Sequence, residues 1–363
     1  MIARDLLDTA GTALAGPKLQ FLQPPMRPAA DAPLIVCTGA TGYVGSALVV
    51  RLAEAGRRVR TFDSQVFGNS LADLPGVEHV KGDVRDSEAV RSAIAGADAV
   101  AHLAGIVVDE LVDLNPSRAA EVNLLGTYNV ARACREAGVR RLVYASSSSV
   151  YGHAAAGRSP VTEDVAPLPM TAYAWQKLAG EAIVNSFGGG PLSTVSVRSA
   201  TAMGPAPRCR LDVVVNAFAK QAWFDGIITV HGGEQYRSNI HVDDVCALYE
   251  RLIDADPKTV DQCAFNATAG NAKVIKIAEL VRDAFKIHTA REVAIRVEPI
   301  TDLRSYRLDA SLARNILGWV PTKGVADAAH DNFDFFESGA ITNPNDDIYF
   351  NVRRMKPFME AKT

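Results

Sequence analysis

The sequence predicts an α/β protein built on a doubly wound parallel sheet (Rossmann type), with a smaller C-terminal α/β substrate domain. Short apolar runs alternate with helical stretches from residue 34 onward, and a glycine-rich turn joins the first run to the first helix. At 363 residues and 48% hydrophobic composition, the chain is also long enough to bury a large core in one or two domains.

Residues 1–32 show weak periodicity and end in QPPMRPAADAP, where the prolines forbid a continuing helix, so an extended leader is expected. At Leu34 the run LIVC reads as a strand and feeds TGATGYVGSALVVRLAEAG, a glycine turn followed by a helical pattern closed by Gly56. RRVRTFD and GVEHVKGDV follow as strands, DSEAVRSAIAG as a helix and ADAVAHLAG as a strand. SRAAEVNLLGTYNVARACREAG then reads as one long helix and RRLVYAS as a strand. Alternation at this spacing pairs strands in parallel and puts helices on both faces. After PLSTVSVRS the pattern loosens into loops, short strands and one amphipathic helix, DVVVNAFAKQAWFDG. The expected organisation is an extension over 1–32, a dinucleotide-binding domain over 33–198, a mainly substrate-binding domain over 199–340 with segments returning to the first sheet, and a tail over 341–363. No motif is legible beyond Gly318 apart from LGWVP.

Charge excludes several classes. The formal net charge is −3 and Lys and Arg are scattered, so a nucleic-acid partner is not expected. No apolar run approaches the roughly 18 residues of a membrane span, and Asp5 and Asp8 interrupt any signal-like stretch, which makes the cytoplasm the expected compartment. Five cysteines lie far apart without metal-ligand or C-x-x-C spacing and read as buried small hydrophobes. Cys209, in the Pro- and Arg-rich MGPAPRCRLD, is the one expected to be an exposed loop thiol. No metal site is expected.

The turn TGATGYVG sets Gly39, Gly42 and Gly45, with Tyr43 and Val44, between the first strand and its helix. The first glycine permits the tight turn, the second lets a pyrophosphate approach the backbone, and the third lets helix and strand pack closely. The helix N-terminus favours the anion. Asp63 ends the second strand about 20 residues further on, where a carboxylate takes ribose hydroxyls and repels a 2′-phosphate; the cofactor expected is NAD rather than NADP.

With these glycines the sequence resembles the extended short-chain dehydrogenase/reductases, the NAD-dependent sugar epimerase/dehydratase group. Further matches run in order over about residues 33–320: GDVRD, HLAG, NLLGT, YASSSSVYG, YAWQK, VRSATAMGP, RSNIHVDDV and LGWVP. The resemblance implies that Asp83 and Val84 hold the adenine, that Leu103 and Ala104 line the cofactor, and that Asn123 supports the active-site helix beside it. It also implies a homodimer formed through the helices around the active-site segment.

TAYAWQK puts Tyr173 and Lys177 four residues apart, on one face of a helix. A phenol is a poor base at neutral pH, but a nearby ammonium and a nicotinamide cation lower its pKa, so Tyr173 is the expected proton shuttle. Lys177 is expected to bind the nicotinamide ribose as well. Aligned on VYG, the family's catalytic Ser or Thr falls on Ser147, and Ser146 lies toward the cofactor. At Ser148 and Ser149 the resemblance would place Asp-Glu in a 4,6-dehydratase, Ser-Glu in a sugar-acid decarboxylase, and a Cys near Ser149 in a 3,5-epimerase. Their absence leaves reversible oxidation of one carbinol.

On the substrate side, Thr201 stands where the family commonly carries Asn, His231 where an aromatic packs on the base, and Arg237 where a phosphate binds; Arg304 follows PITDL, and Arg208 and Arg210 add charge. The function expected is an NAD-dependent epimerase acting on a nucleotide-activated sugar. Two alternatives stay open: a ketoreductase or dehydrogenase acting on a nucleotide sugar or a non-nucleotide carbonyl, and a non-catalytic NAD-binding scaffold.

Overall fold

A computed structural model describes residues 28–29, 31–155, 160–299 and 305–361. The first half contains β1 (Leu34–Thr38), α1 (Tyr43–Glu54), β2 (Arg58–Asp63), β3 (Val77–Lys81), α2 (Ser87–Ile94), β4 (Ala99–His102), α3 (Asp109–Leu114), α4 (Pro116–Ala120), α5 (Gly126–Glu136), β5 (Arg141–Ala145), α6 (Ala172–Phe187) and β6 (Ser193–Ser199). The second contains β7 (Thr201–Met203), α7 (Val214–Lys220), β8 (Ile227–His231), β9 (Tyr236–His241), α8 (Val242–Asp254), α9 (Pro257–Val260), β10 (Cys263–Ala267), β11 (Gly270–Lys273), α10 (Val274–Thr289), β12 (Ala294–Glu298), α11 (Ser311–Leu317), α12 (Val325–Glu337) and α13 (Asn351–Glu360).

Seven parallel strands form the main sheet in the order β3-β2-β1-β4-β5-β6-β10. Because helices cover both faces, the central strands are buried along their length rather than at alternate residues: every residue of LIVCT in β1 is buried. β10 comes from the second half and closes the sheet beside β6. The strand order reverses between β1 and β4, which opens a crevice at their C-terminal ends, the usual ligand position in this architecture. Two smaller sheets, β11-β9-β7 and β12-β8, complete the strands of the described residues. A separate apolar cluster around Phe218, Phe285 and Phe333 supports them.

Local sequence explains the helix starts that frame the crevice. Asp86 caps α2 by accepting the N–H groups of Glu88 and Ala89, and Thr171 caps α6 by accepting that of Ala174. The stretch expected as one long helix is α4 and α5 joined by a π-helical turn at Glu121–Leu125. Such turns re-aim side chains, and here the redirected one is the buried Asn123.

One expectation is corrected here. Cys209 is fully buried, and burial pushes its thiol pKa up to about 12, so it is not an exposed loop thiol; Cys263 is the partly exposed cysteine. The cause is tertiary, because the tail covers this stretch and Leu211 N–H bonds the Tyr349 carbonyl. Beyond Gly318, where the sequence shows no motif, the chain is helical over α12 and, in the tail, α13. Among the described residues, no helix is long and apolar enough to cross a membrane.

Candidate active site

The crevice floor is the glycine turn. Gly39 has φ +69°, and a Cβ there would sit 2.4 Å from the Ala104 nitrogen, so the turn approaches β4 as only glycine allows. A Cβ on Gly45 would lie 2.1 Å from the Gly39 carbonyl oxygen, which fixes how closely α1 packs on the turn. Gly42, by contrast, lines the crevice, and a Cβ there would meet only the Gly39 oxygen, at 3.1 Å, before projecting into open space. This is a cradle that a side chain would fill, and it suits a pyrophosphate at the start of α1.

Asp63 lies beside the cradle. Its carboxylate accepts the N–H groups of Thr41 (3.0 Å) and Gln65 (2.7 Å), which fixes its orientation while leaving lone pairs for ribose hydroxyls. Burial raises its pKa, and these hydrogen bonds and Arg208 oppose the rise. Gly39, Gly42, Asp63, Asp83, Val84, Leu103 and Ala104 together line one continuous pocket. The glycine cradle, the ribose carboxylate and the apolar walls fit NAD. Asp83 is itself held by Arg85, 2.8 Å away.

Next to this pocket is a second one that shares Gly39, Gly42, Leu103 and Gly105 with it. It gathers Tyr43, Val44, Gly45, Ser146, Ser147, Tyr173, Lys177, Thr201 and Arg210. Ser147 sits just past the end of β5 and shares the pocket wall with Tyr173 on α6, whose phenol pKa it lowers. Ser149 donates both its hydroxyl (2.9 Å) and its backbone N–H (3.2 Å) to the Ser147 oxygen. Burial pushes the Tyr173 phenol up to about 12, against the lowering influence of Ser147 and Arg210. Burial also lowers Lys177 to about 8, with Glu181 pulling it back up; its ammonium donates to the Ala145 carbonyl at 2.8 Å.

Other expected residues are placed differently. Ser146 lines the pocket, but its hydroxyl is engaged as a donor to Glu181, which forms a buried ion pair with Arg198 at 2.8 Å. Asn123 lines neither pocket: it clasps Ile106 through both backbone groups and donates to Gln176, tying the loop after β4 to α6 from behind the wall. The Tyr43 hydroxyl is engaged with Gly204 and Asn216. His231 is exposed at the end of β8, 3.6 Å from Glu298, outside the pocket lining. Arg237 stands behind Tyr306, its guanidinium 6.0 Å from that ring, and does not line the pocket. Arg304 lies outside the described residues.

Sequence reasoning passed over one residue behind the pocket wall and several on it. Glu181 had a legible signal, one helical turn after Lys177 on the same face. Val108 lines the pocket at φ +85°, a strained conformation for a β-branched residue that no sequence pattern announces. Phe67 lines both pockets and carries the buried Arg208 guanidinium 3.8 Å above its ring. Asn351, Met355 and Phe358 arrive from the tail.

The NAD dependent epimerase/dehydratase family matches residues 35–267. A UDP-glucose 4-epimerase of Mycolicibacterium smegmatis is 32% identical over 321 residues, covering 83% of this chain and 97% of that protein. Among solved structures, the Thermus thermophilus UDP-glucose 4-epimerase in complex with NAD superposes with a TM-score of 0.73 at 26% identity, covering 84% of this chain and 99% of that one. MoeE5 in complex with UDP-glucuronic acid and NAD gives 0.72 at 26% identity with the same coverage. The family match spans more than half of the chain and takes in both the glycine cradle and the Ser147, Tyr173 and Lys177 pocket, so the chain belongs to the NAD-dependent epimerase/dehydratase family and is an NAD-dependent enzyme.

Proposed function

We propose that the protein epimerises a nucleotide-activated sugar by transient oxidation of one carbinol to a ketone. The observation that carries this reading is the composition of the second pocket: Ser147, Tyr173 and Lys177 converge there, and among the described residues no carboxylate or thiol lines it. Dehydration and decarboxylation each need a further acid or base, so the groups present support redox at a single carbon and no more. Lys177, Arg208 and Arg210 make the lining cationic, which suits a diphosphate-bearing substrate.

Bound NAD supplies the hydride acceptor and donor, and its nicotinamide charge favours the phenolate of Tyr173. Tyr173 takes the proton of the substrate hydroxyl and later returns it. Ser147 holds the same oxygen, its own hydroxyl oriented by Ser149. Lys177 keeps a positive charge near the phenol and binds the nicotinamide ribose. Arg210, paired with Asp212 at 2.8 Å, and Arg208 hold the diphosphate, and Thr201 lies on the same wall. The support from relatives is that UDP-glucose 4-epimerases recur among them.

The active form we propose is a homodimer through α5, the π-helical turn before it and α6, where Leu125, Tyr128 and Trp175 are exposed large apolar side chains. To test the function, purified protein is incubated with a panel of UDP-, GDP-, CDP- and TDP-sugars. Interconversion of an epimer pair supports the reading; no turnover with any of them removes it.

A further inference from the structure

Helix α13 lies outside the family-matched region, and its sequence, NVRRMKPFME, carries no recognisable motif. Yet Met355 and Phe358 line the same pocket as the glycine cradle, Asp63 and Asp83, and Asn351 lines the second pocket. These positions are spaced i, i+4 and i+7, so one face of the helix runs along both pockets. We infer that α13 is part of the cofactor site, a strap whose Met355 and Phe358 close the adenosine end, so that NAD enters or leaves only when the helix undocks. The inference rests on NAD as the cofactor and not on the identity of the sugar.

The helix is fastened along its length. Its first residue donates its backbone N–H to Asp212 at 2.8 Å, and the Asn351 side chain accepts from Arg208 at 2.7 Å. In the middle, Arg354 donates to the Val66 carbonyl at 2.8 Å, on the loop that follows Asp63. At the far end, Asn115 donates to the Met359 carbonyl at 3.1 Å and Arg118 to that of Phe358. The Phe358 ring is held near two guanidinium groups, Arg85 at 5.6 Å and Arg118 at 5.2 Å. Arg85 is the residue that pairs with Asp83, so the ring and the expected adenine-side carboxylate share one cation.

A helix that merely capped the apolar patch of Ile106, Leu111, Val112 and Ala119 would bury its apolar side chains there. Met355 and Met359 do so, and Phe358 packs against the same patch; yet Met355 also lines the pocket, and Phe358 stays half-buried at its wall, where a bound adenosine would cover it. Such a strap suits an enzyme whose cofactor is restored in each turnover and has no need to exchange. Asn351 extends it to the substrate side, because its partner Asp212 also holds Arg210.

The test is the rate at which the full-length protein, loaded with NADH and no sugar, loses NADH fluorescence during a chase with excess NAD. Phe358→Ala removes the ring, and Arg354→Ala removes a fastening that does not line the pocket. Each is expected to release NADH at least about tenfold faster than wild type, with the cofactor-free melting temperature within a few degrees. Phe358→Leu keeps the apolar filling and guards against an unfolded variant; it is expected to release faster than wild type as well. Wild-type release rates in Arg354→Ala and Phe358→Leu would overturn the inference. Slow release from a protein that interconverts no nucleotide sugar would leave it standing and sink only the functional proposal.

Discussion

Tyr173 is held in an environment that disfavours its anion, since burial pushes it to about 12 and only Ser147 and Arg210 pull the other way. Its reactivity therefore depends on charge brought alongside it. Tyr173→Phe is expected to lower kcat by about 10²–10⁴-fold while leaving the NAD content of the purified protein unchanged, read by turnover and by cofactor released on acid denaturation. Ser147→Ala is expected to cost less than Tyr173→Phe, because the phenol remains. Lys177 offers a test in pH. Its folded value of about 8 lies below the ordinary 10.5, so between these two the unfolded chain holds the extra proton and stability rises with pH. Below that window this lysine's burial works against folding. In cofactor-free Lys177→Met, the slope of unfolding free energy between pH 8 and 10 should be lower than in wild type by up to about 1.4 kcal/mol per pH unit, measured by urea titration.

At the scale of elements, rigidity comes from joints between neighbouring segments. Glu181 on α6 and Arg198 on β6 are both buried, and their ion pair carries the Ser146 hydroxyl next to Ser147. Glu181→Gln leaves a buried guanidinium without its counter-charge and is expected to destabilise the fold by about 3–5 kcal/mol in denaturant unfolding. Gly45→Ala would drive a Cβ to within 2.1 Å of a backbone oxygen, and is expected to abolish NAD binding in a thermal-shift assay. Both joints were partly legible: the glycines announce their turn because tight turn and anion cradle are local, and Glu181 follows Lys177 by one helical turn. The π-helical turn at Asn123 was not, since a single turn of i→i+5 bonding has no residue-type signature in EVNLL. Nor was α13, whose Pro357 lacks an N–H and argues against a helix until the fastenings to Val66, Arg118 and Asn115 are seen.

For the whole molecule, the first half was readable because each strand and helix declares itself through its own periodicity, from LIVC to RRLVYAS. The second half was less so, because its small sheets pair segments far apart in sequence, such as β8 with β12 and β7 with β9. Positions taken from motif register alone were the least secure: His231 and Arg237 stand outside the pocket lining, while Phe67 and Asn351, which no motif marks, line it. Assembly is a further property at this scale. Light scattering is expected to give twice the mass of the 38.8 kDa chain, and Trp175→Glu, placing a charge on the exposed apolar face of α6, is expected to shift it to the monomer. The central claim, that one carbinol is oxidised and reduced within a single binding event, is tested most directly with UDP-glucose deuterated at the carbon to be inverted. The account predicts an epimer that keeps its deuterium, with no NADH accumulating in solution; an unlabelled product, or NADH formed in step with a ketone or acid, would contradict it.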